Sequence, residues 1–156
     1  MATCMKRHPL NALARQDPAD AVRKMKVDWS SRAGYDRDEF EAAVSRDARA
    51  SFYYARDVVE GRFELGEPAI ALSAEWSYNY AFSVLGGVFS AGEAAIATDI
   101  DYACSYASLV MKNRWRAIEA RLWQRRDLWS KYVWNLLHDL PEMLHEFIME
   151  FGEWRP

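Results

Sequence analysis

Cysteine is nearly absent: Cys4 and Cys104 are the two in 156 residues. Two thiols build no disulfide framework and fit a reducing compartment. Cys104 reads as a small core residue. Histidine is scarce too, with His8, His138 and His145. His138, Glu142 and His145 fall near one helical face and could hold a metal ion. Pro141 interrupts that face and no fourth ligand is evident, so neither a metal nor another cofactor is expected. The seven glycines include Gly86, Gly87 and Gly92, which read as turn residues rather than a phosphate cradle. No nucleophile elbow, Rossmann fingerprint, zinc-ligand cluster or His-Glu-x-x-His motif occurs. The expectation is a protein that is not an enzyme. No apolar run approaches the roughly 20 residues of a membrane span. Residues 1–16 lack the apolar core of a secretory signal. A soluble, cytoplasmic protein with no membrane contact is therefore expected.

Aromatic residues are abundant: seven Trp, eight Tyr and seven Phe in a chain that is 51% hydrophobic. Such a composition excludes a disordered chain and suits a single domain over 1–156. Charge is unevenly spread. Residues 1–50 hold ten basic and eight acidic groups, residues 51–104 two and eight, and residues 105–156 eight and seven. The acidic middle favours basic partners over direct contact with nucleic acid.

That middle is also where the chain repeats. Tyr54 opens Tyr-Ala-Arg-Asp-Val-Val-Glu-Gly-Arg-Phe-Glu-Leu-Gly-Glu-Pro-Ala-Ile, and related stretches open at Tyr80 and Tyr106, with Tyr132 a further 26 residues on. A fixed period of this length in tandem marks a solenoid. The fold expected is all-α: a short α-solenoid of about four 26-residue helix-turn-helix repeats. Residues 1–35 would form an N-terminal helical cap, and 36–156 the array. Asp47, Ser73 and Asp99 are placed to cap the long helices. Tyr54/Val58, Tyr80/Val84 and Tyr106/Val110 form a buried face. The Tyr hydroxyls are expected to bond to a Glu or a backbone group of the adjacent unit. Gly61, Gly87 and Asn113 supply a left-handed helix end, followed by plugs at Phe63, Phe89 and Trp115. Glu67, Glu93 and Glu119 open short helices anchored by Ile70, Ile96 and Leu122, with Ile148 the anchor of a degenerate fourth unit. Ser30 to Gly34 and Asp139 to Pro141 read as turns.

The stretch Tyr-Ala-Arg-Asp-Val-Val-Glu-Gly-Arg-Phe-x-x-Gly-Glu-x-x-Ile, with Glu75-Trp76-Ser77-Tyr78 leading into the next Tyr-Ala, resembles short helical repeats found in tandem in bacteriophage and large-virus proteins. Residues 54–97 carry the resemblance best and 98–122 by register. It implies a viral origin and a helical-repeat fold, and supplies no catalytic residues.

Two functions then compete. The first is a protein-binding module whose acidic surface occupies a host nucleic-acid-handling complex, as an anti-CRISPR or other anti-defence inhibitor in the host cytoplasm. Its candidate contacts are Arg56, Asp57, Glu60, Glu64, Glu67, Glu75 and Glu93. Positions that differ between units, such as Arg56/Phe82/Ser108 and Glu60/Gly86/Lys112, are expected to face outward. The alternative is nucleic-acid binding through 112–131, where Arg114, Arg116, Arg121, Arg125 and Arg126 would meet phosphates and Trp123 would stack on a base. An open-ended array rich in Trp near its C-terminus would also suit a homodimer.

Overall fold

A computed structural model describes residues 8–28, 33–139 and 141–152, and every regular element among them is helical. None of these helices is long and apolar enough to cross a membrane. Pro9 and Pro18 each stand in a first helical turn, where no N–H is missed. They begin α1 (Pro9–Gln16) and α2 (Pro18–Val27). Asp17 caps α2 through the Asp20 N–H at 2.9 Å. Asp36 caps α3 (Arg37–Val44) through the Glu39 N–H at 3.0 Å. Buried Asn11 ties α1 to that cap: its amide donates to the Asp36 carbonyl at 2.7 Å and accepts the Asp36 N–H at 3.2 Å. Ser30, Ser31, Arg32 and Leu140, expected in turns, lie outside the described residues.

Three long helices follow, each shifted by 26 residues: α4 (Ala48–Tyr54), α6 (Ala74–Tyr80) and α8 (Ile100–Tyr106). Asp47, Ser73 and Asp99 cap them as the sequence predicts, accepting the N–H groups of Ala50, Trp76 and Tyr102. Each helix then widens into a π-helical turn, at Ala55–Val59, Ala81–Leu85 and Ala107–Met111. The left-handed residue that ends each is Glu60, Gly86 or Lys112, with φ of 55°, 59° and 48°. Gly61, Gly87 and Asn113, expected in that role, come one residue later. The reason is the wide turn. The N–H of Gly61 and that of Glu60 both close on the Ala55 carbonyl. The chain must therefore reverse at the first of the two.

The return segments carry α5 (Glu67–Ile70) and α7 (Glu93–Ile96), each entered by a 3-10 turn, Glu64–Gly66 and Ser90–Gly92. Glycine is required at the end of those turns. A Cβ on Gly92 would lie 2.4 Å from the Ser77 Oγ, and one on Gly66 would lie 2.6 Å from Ser51. Those serines are fixed in place, because they donate to the Ile70 and Val44 carbonyls at 2.9 and 3.0 Å. In the third unit Ala103 and Ile118 stand at the serine and glycine positions. There α9 (Arg116–Leu122) runs without a 3-10 entry. Glu119, expected to open a short helix, is consequently in mid-helix and buried.

The fourth unit differs in its helix type. Its long helix α10 (Arg126–Asp139) is α-helical throughout, and a 3-10 turn at Pro141–Met143 leads to α11 (Leu144–Phe151). A π turn takes up one residue more than an α turn. Without it, everything downstream moves by one. Ile148, expected as the core anchor, is 42% exposed, and Phe147 is 2% exposed in its stead.

The core is a ladder of tyrosines. Tyr54, Tyr80, Tyr106 and Tyr132 are fully buried. Their hydroxyls donate to Glu41, Glu67, Glu93 and Glu119 at 2.8, 3.1, 3.3 and 2.9 Å, always 13 residues back. Three of them also accept a backbone N–H 17 residues back, from Phe63, Phe89 and Trp115 at 2.9, 2.8 and 2.8 Å. Burial raises the phenol pKa of Tyr80 and of Tyr106 to about 12.

Candidate functional site

α4 packs on α6 and α6 on α8, while each π turn packs on the next, so the three long helices run parallel. Residues that recur at each unit face inward. On the outward side Arg56, Phe82 and Glu60, Gly86, Lys112 are exposed, as the sequence predicts. Ser108 is not. It is buried, its hydroxyl bonds to the Cys104 carbonyl, and α10 packs against its π turn.

The acidic candidates fall into two sets. Asp57, Glu67 and Glu93 have internal partners. Asp57 takes both Arg56 nitrogens at 2.8 and 2.9 Å and Lys26 at 3.1 Å. The Arg56 hydrogen bond, opposed by burial, holds the Asp57 carboxyl below its ordinary range. Glu67 receives Arg62 at 2.7 and 2.9 Å besides Tyr80, and Glu93 receives Tyr106. Glu60, Glu64 and Glu75 are exposed. Glu75 sits in the first turn of α6, whereas Glu60 is at the far end of the parallel helix beside it. At 1.5 Å per residue the two ends are about 17 Å apart. These acids therefore form separate patches at the two ends of the long helices.

The basic segment is dispersed further. The Arg114 side chain is 4% exposed. It is clamped between Glu119, Glu146 and Glu150, and its guanidinium stands 4.6 Å from the Phe147 ring centre. Arg121 donates to the Ala97 and Thr98 carbonyls at the end of α7. Arg125 pairs with Asp127 at 3.0 Å and approaches Asp101 at 3.9 Å. Arg116 is exposed, with Glu146 and Glu150 within 4.0 Å. Arg126 and Trp123 are brought together on the surface, 5.7 Å apart, with Trp123 braced edge-on by Trp129.

The structure adds a feature that the sequence reading missed. Aromatic side chains bridge adjacent long helices at the edge of the core. Phe52 meets Trp76 at 5.5 Å, and Tyr78 meets Tyr102 at 5.7 Å. Tyr53 also touches Trp76, and Phe82 stacks on Tyr78 at 5.9 Å. Arg56 lies over Phe52 and Tyr53 at 5.1 and 4.8 Å. The available signal was an aromatic pair spaced by 24 residues, present twice. The same spacing continues as Cys104 and Leu128, where the thiol meets the Leu128 carbonyl at 3.6 Å. A groove of about 510 Å3 also opens between α2 and α4. Asp17, Asp20 and Asp57 line it together with Arg23, Lys26 and Arg49, and Arg23 and Lys26 are already paired with Asp20 and Asp57.

Among the described residues no three His, Cys, Asp or Glu side chains gather as a metal site. The chain matches no family model, no curated protein and no solved structure.

Proposed function

We propose that this chain is a short α-solenoid of about four 26-residue repeats behind an N-terminal helical cap, and that it acts as a phage-encoded protein-binding module. It inhibits a host defence system in the host cytoplasm, of the anti-CRISPR kind, by occupying the basic surface of a nucleic-acid-handling complex. One observation supports this reading: the recurring tyrosines are spent on packing between units, while most of the varying positions, Arg56, Phe82, Glu60, Gly86 and Lys112, are exposed, as are the acids Glu64 and Glu75. A parallel stack of helices presents a broad face suited to a macromolecule, and carboxylates complement groups that bind phosphates. The test is phage plating on a host with an active CRISPR system. Expression of the chain restores plaques, and Glu60→Lys with Glu64→Lys and Glu75→Lys removes that protection at unchanged melting temperature. Failure of the wild type to protect, or full protection by the reversed variant, overturns the reading.

Nucleic-acid binding is the second reading, carried by the exposed Arg126–Trp123 pair. It requires single-stranded nucleic acid to bind with an affinity that falls steeply with salt, and Trp123→Ala to weaken it.

A further inference from the structure

The outer flank of the first long helix shows how this scaffold holds a cation. Arg56 lies over the Phe52 and Tyr53 rings at 5.1 and 4.8 Å, and its nitrogens donate to both oxygens of Asp57. Arg49 stands 5.9 Å above the same Tyr53 ring. Guanidinium on an aromatic face, completed by a carboxylate, is a favourable pairing because the ring's negative face and the anion act on the same charge.

One unit further on, the aromatic step recurs and the cations do not. The Phe52–Trp76 pair becomes Tyr78–Tyr102, with centroid separations of 5.5 and 5.7 Å. Arg49 is replaced by Glu75, Arg56 by Phe82 and Asp57 by Ser83, while Tyr53 gives way to Asn79, so that the ring beside Tyr78 is supplied by Phe82 instead. Glu75 stands three residues before Tyr78 on α6, which places the two on one helical face. Its carboxylate is exposed. Its field also reaches the next helix: burial first, then Glu75 and Asp99, push the Tyr102 phenol up. Phe82, 53% exposed and stacked on Tyr78, extends the aromatic floor. Asp101, in the first turn of α8, already has Arg125 at 3.9 Å, which leaves Glu75 as the carboxylate for an incoming cation.

We infer that the half-buried Tyr78–Tyr102 step across α6 and α8 binds an arginine side chain of a protein partner, the guanidinium lying on that step beside Phe82 and pairing with Glu75. This deepens the protein-binding reading and rests on it. Phosphate-bearing partners are disfavoured here by Glu75. Lysine is a poorer occupant than arginine, because a compact ammonium neither stacks as a plane nor pairs in a fork.

The probe is a hexa-arginine peptide titrated into isotope-labelled protein and followed by NMR, with hexa-lysine as the comparison. Shifts are expected at Glu75, Tyr78, Phe82 and Tyr102, with arginine favoured over lysine by about threefold or more. Glu75→Gln is expected to weaken the arginine peptide by about threefold or more. The double variant Phe82→Arg, Ser83→Asp supplies in place the cation and carboxylate that the first unit carries at Arg56 and Asp57, at unchanged net charge. It is expected to remove the shifts while the helical signal is retained. Equal affinity for the two peptides, shifts confined to another surface, no binding, or undiminished binding by the double variant would each overturn the site. The outcomes separate the two proposals. A peptide that binds as expected while the chain fails to protect phage leaves the arginine site standing and removes the defence reading. Protection without peptide binding does the reverse.

Discussion

The phenol oxygen of Tyr80 lies 2.9 Å from the backbone nitrogen of Phe63, 17 residues earlier, and 3.1 Å from the Glu67 carboxylate. One hydroxyl thus satisfies a buried N–H and a carboxylate of the preceding unit at once. Tyr54, at the head of the series, bonds only to Glu41 among the described residues.

Removing these hydroxyls should therefore have unequal effects. Tyr80→Phe leaves the buried Phe63 N–H unpaired and is expected to cost about 1–3 kcal/mol. Tyr54→Phe should cost about 0.5–1.5 kcal/mol. Urea denaturation of both variants checks the order, and equal losses would contradict the double role of Tyr80.

Alkali tests the same ladder. Burial raises the Tyr80 and Tyr106 phenols to about 12 in the folded protein, against an ordinary value of 10. The folded state prefers the protonated phenol. Its contribution to stability is complete below about pH 10 and is lost as pH rises toward 12. Stability should fall across that window, with phenolate absorbance from these residues appearing together with loss of helical signal. Ionisation near pH 10 in a protein that stays fully helical would contradict it.

Helix ends give a gain. Glu60 and Lys112 hold φ of 55° and 48°, where Gly86 sits at 59° in the second unit. A left-handed side chain costs roughly 1–2 kcal/mol, so Glu60→Gly and Lys112→Gly are each expected to raise stability by about 1 kcal/mol, while Gly86→Ala lowers it by a similar amount. Chemical denaturation reads all three.

Gly92→Ala should be more damaging than its one methyl suggests. The added carbon meets Ser77 at 2.4–2.5 Å and Phe89 at 2.7 Å. Ser77 is pinned to the Ile70 carbonyl, so the clash has no flexible end to move. A loss of about 1–3 kcal/mol is expected, and a neutral melting curve would show that the approach is looser than described.

Arg114 holds the last helix in place. Its side chain and that of Glu119 are 4% and 3% exposed. Arg114→Met leaves the buried Glu119 carboxylate without its counter-charge, held by Tyr132 alone among the described residues, at an expected cost of about 3–5 kcal/mol. It also removes the contacts to Glu146 and Glu150. Hydrogen exchange should speed up first in α11. Uniform loss of protection along the chain would argue against this local role.

The sequence by itself determined the local chemistry and its period. The 26-residue spacing fixed where helices start, because Asp47, Ser73 and Asp99 cap through bonds to N–H groups two or three residues away. It also marked the tyrosines as inward, whereas Val58, Val84 and Val110, expected on the same buried face, are only half-buried. Tertiary structure decided what depends on distant partners. The π turns moved the left-handed residue from Gly61 to Glu60, and their absence in α10 exchanged Ile148 for Phe147. Helix widening leaves little mark in a pattern of apolar residues. It was also packing that buried Arg114 and placed Tyr78 against Tyr102 near Glu75, while the Tyr–Glu bonds of the ladder follow the sequence expectation. A charge in a sequence carries no sign of whether it meets water or a neighbour, and that difference separates a packing group from a surface that can bind.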